Sequence, residues 1–560
     1  MSAIPKPYPF DLPDLCPAFI EAEHEVAGWC ARGFAWLYGF NHEEAANCFR
    51  AAADLEDGLA IAWWGIAISS GPFMNMPWEW FTREEKIRAL QTCHGAVSAA
   101  RARSAGAPEA ARALIDALAW RFPSAAVPDD DTLSGWERSY ADAMLGVYER
   151  FGDDPDIAAL YVDSQIMLTP WELFDIDSRA PNPQARTAEI HAALERGLKG
   201  AGGDHIGLLH YDIHFREMSP TPEYALDSAR KLEMAETGDA GHLAHMPSHI
   251  HALLGDFEGA ARCSRRAVAL DVEHRPYLER APFYRTLHCH DAHMLMFAGM
   301  QTGNMGDALH GAAVIADLLR DVLIEPPTSH MMMTLEGYLS TISHVDIRFG
   351  RWQTVLDAVF DGDPAHRPVS WAMHHYARAV ASAALGMFDS ARQAAEAFDD
   401  ARAAVPVEYA FFNNPADVIL TVADLMMRGE MAYHAGETET AFDLLQQAIK
   451  AEDGLGYNEP RAWMHPPRHA LGALMLEQGR VAEALAIYEC DLGRKGDLPF
   501  SRQNRGNIWS LAGLAECLHR LDGEDTGAAD AELAAAMRLA DRAVTSSCFC
   551  RGCTPVAGTV

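Results

Sequence analysis

Histidine is the residue type whose spacing points to chemistry. Of the 25 histidines in this 560-residue chain, 11 fall between His205 and His293, where an even spread would put about four. They form three clusters. In His210-Tyr-Asp-Ile-His214 two imidazoles project from one helix face a turn apart, the spacing that lets both grip one ion, and Glu217 follows three residues on. In His242-Leu-Ala-His245-Met-Pro-Ser-His249, Pro247 either kinks the helix or starts it afresh, so whether the three rings share a face stays open. The third cluster is His288-Cys-His290-Asp-Ala-His293, with His290 and His293 as i, i+3 partners.

Burying so many imidazoles needs a polar partner for each, and a metal ion supplies one. The candidate ligands are His210, His214, His245, His249, His290 and His293, with Glu217 and His242 as candidate catalytic residues. Carboxylates are few in these clusters, namely Asp212, Glu217 and Asp291. Imidazole donors suit copper, iron or zinc, whereas magnesium and calcium prefer oxygen. Two three-histidine sets would make a dinuclear arrangement of copper type. A single site with Glu217 as ligand or base would suit iron or zinc. Tyr211, Phe215, Met246 and Met294 would give such a site an apolar rim, which favours oxygen chemistry, though the same residues serve equally as repeat core. A satisfied packing histidine reused from repeat to repeat accounts for His245, His293 and His469, but not for the paired spacings.

A second polar stretch runs from Tyr457 to His469, YNEPRAWMHPPRH. Glu459 and Arg468 are candidate substrate-binding or catalytic residues there, beside His465 and His469, Arg468 through its planar fork to an anion. The plainer account is a helix entry at Pro466-Pro467, with Glu459 pairing to Arg461 or Arg468.

The elements that must position these residues are helices. Ala-, Leu- and Glu-rich segments recur with 3.6-type apolar spacing, and Pro and Gly cluster between them. A Gly followed five residues later by Ala, with a helix on each side, occurs at Gly255, Gly303, Gly386, Gly436 and Gly479. Gly350 has Val355 in the same place, and Gly39 is a looser copy with Ala45 six residues on. The gaps from Gly255 onward are 48, 47, 36, 50 and 43 residues, the period of an α-solenoid. Each copy reads as a helix, a tight turn in which Gly takes φ > 0, and a second helix meeting the first at a small Ala.

The chain resembles tetratricopeptide-repeat proteins with long, irregular repeats, and more narrowly a bacterial and fungal subfamily of them. The matching stretches are GFNHEEAANCFRAAADLEDGLAIAWWGIA, GHLAHMPSHI with LLGDFEGA, and YNEPRAWMHPPRHALGALMLEQGR. The resemblance implies an all-α fold, an α-solenoid of helix pairs wound into a superhelix with a concave groove. Counted back from the turn glycines, His242 and His290 each stand 13 residues before, and His245 and His293 each 10 before. All therefore fall on first helices of pairs, which in such solenoids line the concave face. The organisation expected is an N-terminal extension over 1–30, one solenoid domain over 31–540 and a flexible cysteine-containing tail over 541–560.

Composition narrows the rest. A net charge of −34 repels phosphate backbones and anionic headgroups, so nucleic-acid and membrane-surface partners are not expected. No apolar run approaches the ~20 residues of a spanning helix, no secretory signal is visible, and a cytoplasmic location follows as the expectation. Eleven scattered Cys read as reduced, mostly buried thiols. No P-loop, GxGxxG, GxSxG or HExxH is present. Two functions remain: a metal-dependent oxidoreductase acting on a small organic substrate, or a non-catalytic scaffold that captures a peptide or protein partner.

Overall fold

A computed structural model describes residues 8–235, 237–278, 282–323, 328–521 and 526–551. The chain is all-α, built largely of consecutive helix hairpins; among the described residues the one sheet is a two-stranded antiparallel ribbon, Ala410–Phe411 with Asn414–Pro415. The first helix is His24–Tyr38. The helices group into two compact units, residues 1–250 with 263–288, and residues 251–262 with 289–560. Among the described residues no helix is long and apolar enough to cross a membrane.

The turns follow the pattern read from the glycines. Gly255, Gly303, Gly350, Gly386, Gly436 and Gly479 all have φ between 62° and 87°. In each, the residue after the glycine donates its N–H to a carbonyl five residues back, as Glu437 does to Ala432 at 2.9 Å, closing the last helical turn. The alanine five residues on is buried in every Gly–Ala copy, as Ala391, Ala441 and Ala484 are. Gly436 isolates the conformational part of this design, because a Cβ there would meet nothing within 4 Å. Gly436→Ala is therefore expected to destabilise by about 1–2 kcal/mol through the left-handed backbone alone, read from urea midpoints.

The N-terminal copy departs from the rule. Gly39 has φ −90°, and the left-handed position falls on Phe40, at φ 59°. Asn41 closes the turn onto the Trp36 carbonyl at 2.9 Å, the same bond as in the glycine turns. Phe40, not Gly39, stands five residues before Ala45.

The C-terminal segment differs from the loose tail expected from residue 541. Val544, Ser547, Cys548 and Cys550 are buried, and Ser547 Oγ donates to the His469 carbonyl at 2.8 Å. Cys548 and Cys550 are joined as a disulfide rather than reduced. Cys30, Cys48, Cys93, Cys263, Cys289 and Cys517 are buried thiols, as expected, while Cys553 lies outside the described residues.

Candidate metal centre

The first unit gathers six of the candidate residues. His210, His214 and Glu217 stand on the helix Ile206–Glu217, and all its residues are buried. The second cluster spans a restart: the helix Gly241–His245 ends, Met246 keeps helical torsions, and Pro247 opens the helix Pro247–Leu254. The restart keeps the rings in one row. His242 and His245 have centroids 5.8 Å apart, and His245 and His249 4.8 Å apart.

Hydrogen bonds fix which nitrogen each ring presents. A carbonyl oxygen only accepts, so the 2.6 Å contact between His210 Nδ1 and the Tyr38 carbonyl is an N–H donated by Nδ1. The lone pair of neutral His210 then sits on Nε2, which is buried and has no hydrogen-bond partner. Glu217 orients two further rings: Oε1 accepts from His214 Nδ1 at 2.7 Å and Oε2 from His249 Nδ1 at 2.8 Å. His249 Nε2 lies 2.8 Å from His245 Nε2. Backbone carbonyls and carboxylates holding Nδ1–H are the outer-shell arrangement that aims Nε2 at a metal.

One nitrogen from each of His210, His214 and His242 lies within 4.8 Å of the other two. Ligands about 2.1 Å from a shared ion stand at most about 4.2 Å apart, so shifts of a few tenths of an ångström would close this set. Burial holds His210 and His242 well below the ordinary imidazole pKa, and the neighbouring imidazoles push the same way; both are thus neutral, the form that ligates. Asp212 is committed elsewhere, accepting from Arg216 Nε at 3.0 Å and Ser228 Oγ at 2.6 Å.

Two side chains that the sequence did not flag wall this site. The Phe40 ring lies 4.4 Å from the His210 ring, 5.6 Å from His214 and 5.8 Å from His242. Trp171, also left-handed at φ 64°, stands edge-on to His214 at 5.9 Å. Bulky residues at φ > 0 cost of order 1–3 kcal/mol and gather where function requires them. Truncating a buried Phe costs about 3–5 kcal/mol, and relief of the left-handed strain offsets about 1–2 of that. Phe40→Gly is therefore expected to lower stability by about 1–4 kcal/mol in a urea titration, although glycine is the residue used at the other turns.

The remaining candidates belong to the second unit. His293 is fully buried against Tyr338, at 5.2 Å, and Phe412, at 5.6 Å. His290 stands on the same helix, Pro282–Thr302. Glu459 lies near enough to Tyr338 to help raise its hydroxyl pKa, after burial, Cys289 and Asp291. Arg468 is paired within the chain: its fork donates at 2.8 and 2.6 Å to Asp453, which ends the preceding helix, Thr438–Asp453. His469 is a satisfied core histidine: Nδ1 accepts from Arg348 at 2.8 Å, and Nε2 donates to Asp491 at 3.0 Å.

No protein-family model and no curated protein sequence matches the chain. Among solved structures it is similar to a human IFIT1 dimer with m7Gppp-AAAA, at 12% identity over 94% of this chain and 92% of that one, with a TM-score of 0.31. It is also similar to yeast Tom70, at 10% identity over 91% of this chain and 100% of that one, with a TM-score of 0.28. Superpositions this loose leave the fold to be read from the helices and turns themselves.

Proposed function

We propose that this helical-repeat protein carries a transition-metal centre in its first unit, held by His210, His214 and His242 and flanked by His245, His249 and Glu217. The observation that carries this reading is the convergence of three buried imidazole nitrogens, one of them, His210 Nε2, with its tautomer set by a backbone carbonyl and no partner of its own. Glu217 then acts as a positioning residue, since each oxygen already holds an imidazole N–H. A donor set made of imidazole suits copper, iron or zinc. With copper or iron bound, the site would supply redox chemistry. Phe40 and Trp171 would give a small organic substrate an apolar, water-poor surround, which supports an oxidoreductase as the finer reading. The test is elemental analysis of chain purified without a histidine tag: about one transition-metal ion or more per chain is expected. A chain that is metal-free, and whose thermal midpoint copper, iron and zinc all leave unmoved, would sink the proposal.

The second reading is a scaffold that binds a protein or peptide partner without catalysis. The fold class favours it, because stacked helix hairpins offer extended binding surfaces. A groove of about 660 Å³ in the second unit, lined by Pro364, Pro368, Trp371, His375, Pro406 and Tyr409, gives it a place. Val407, beside Pro406 in sequence, is 96% exposed. A metal-free chain that still captures a peptide through this groove, and loses it on Trp371→Ala, would establish this reading in place of the first.

A further inference from the structure

The second unit holds a cluster of buried polar side chains that the proposed metal centre does not use. Arg348 ends the helix Ser343–Arg348 and is 1% exposed. Its Nη1 donates to the Ser547 carbonyl at 3.1 Å, its Nη2 donates to His469 Nδ1 at 2.8 Å, and its guanidinium lies 4.5 Å from the Trp509 ring. All three partners are uncharged. Among the described residues no carboxylate forms an ion pair with Arg348. Asp491, which compensates it at one remove, sits behind His469 and is filled by donors from His469, Asn504, Asn507 and Ser510. A buried guanidinium without a contacting anion is costly, and burial brings Arg348 down to about 9.

The groups around it are polar, buried and unmatched. His344 lies one turn back on the same helix face. Both its nitrogens, both nitrogens of His465, the Tyr376 hydroxyl and both oxygens of Glu430 have no hydrogen-bond partner. Each of these residues is at most 1% exposed. Trp463 ties them together: its ring is 4.4 Å from His344 and 5.5 Å from Tyr376, and its indole N–H donates to the His465 carbonyl at 2.9 Å. Arg348 acts electrostatically on His344, His465, Tyr376 and Glu430 alike. Burial raises Glu430 to about 8 and lowers His344 to about 3, so at neutral pH both are uncharged. The cluster thus presents several hydrogen-bond donors and one positive charge. Native proteins leave few such groups unmatched, so a polar molecule or ordered water is expected among them.

We propose that this cluster is a binding site for a small organic carboxylate, its anionic end held by Arg348 with the Tyr376 hydroxyl and the imidazole N–H groups of His344 and His465, and its body against Trp463. A single guanidinium among neutral donors matches one negative charge better than the two of a phosphate dianion, and a bound cation would meet Arg348 repulsion. The aromatic wall, with Met426 behind it at 3.2 Å from the Trp463 indole nitrogen, suits an apolar body.

The test is calorimetric titration of the full chain with benzoate, acetate and inorganic phosphate at matched ionic strength. Benzoate is expected to bind saturably at one per chain, acetate more weakly and phosphate not at all. Arg348→Met should weaken benzoate about tenfold or more, the loss of one charged hydrogen-bonding partner. If Arg348→Met fails to fold, Tyr376→Phe and His465→Asn carry the test, each expected to weaken benzoate about threefold or more. Absence of saturable benzoate binding to the native chain, phosphate binding as tight as benzoate, or undiminished binding in the folded variants would each overturn the assignment.

Discussion

His210→Ala is expected to remove bound metal from the first unit while leaving a folded chain. The ring does two jobs there: Nδ1 anchors on the Tyr38 carbonyl, and Nε2 faces the other imidazoles without a partner. Alanine deletes the ligand and also leaves a buried carbonyl short of a donor, so a stability loss of about 1–3 kcal/mol comes with it whether or not metal binds. Stability alone therefore decides nothing, and the readout is metal content at equal folded fraction. Glu217→Gln supplies the graded comparison. An amide offers one oxygen where the carboxylate offered two, so either His214 or His249 loses the acceptor that orients it. Outer-shell changes of this kind cost about 10–100-fold in metal affinity. The expected order is loss of metal in His210→Ala and weakened retention in Glu217→Gln. The reverse order would make Glu217 a ligand in its own right and the three-histidine set wrong.

What the sequence revealed of this site follows from periodicity. Turn glycines and buried alanines recur at fixed offsets, so the helix pairs and their φ > 0 positions were legible one residue at a time. Phe40 breaks the glycine pattern: it stands five residues before Ala45, as the turn glycines stand before their alanines, but a bulky aromatic is the last residue expected at φ 59°. The histidine clusters were legible as local i, i+3 and i, i+4 pairs. The bond between His210 and the Tyr38 carbonyl spans 172 residues and leaves no local trace. The Asp453 partner of Arg468 was not legible, because a polar side chain beside aromatic ones looks the same in sequence whether or not it is already paired. The polar cluster around Arg348 was not legible either, because His344, Tyr376, Glu430 and His465 stand singly on separate elements and no spacing rule links them.

Acid is expected to unfold the chain steeply below about pH 4.4, with little change in stability between there and pH 6.5. Burial holds His42, His293 and His344 down at about 3 in the folded chain, against about 6.5 when unfolded. Between those values the unfolded chain binds the extra protons, so these residues subtract stability as pH falls through 6.5. Five carboxyls, buried or partly buried, act in the opposite sense. Burial raises Asp163 to about 6, Glu43, Glu336 and Glu452 to about 7 and Glu430 to about 8, so the folded chain takes their protons first and gains as pH falls toward the unfolded carboxyl value near 4.3. From 6.5 to 4.4 the five carboxyls offset the three histidines together with the further lowered His210, His242 and His465. Below 4.4 the carboxyls are protonated in both states, and the first three histidines contribute about 1.4 kcal/mol per pH unit each, or about 4 together. His210, His242 and His465, held well below the ordinary value, add to the same side. Against a net stability of about 5–15 kcal/mol, that slope exhausts the folded state within a few pH units. Urea midpoints at pH 7, 6, 5, 4, 3.5 and 3 measure the profile, and His344→Gln should remove about one proton from its acid limb. A steady decline beginning at pH 6.5 would show that the buried carboxyls are ionised in the folded chain, and a flat profile down to pH 3 that the buried imidazoles are not held neutral.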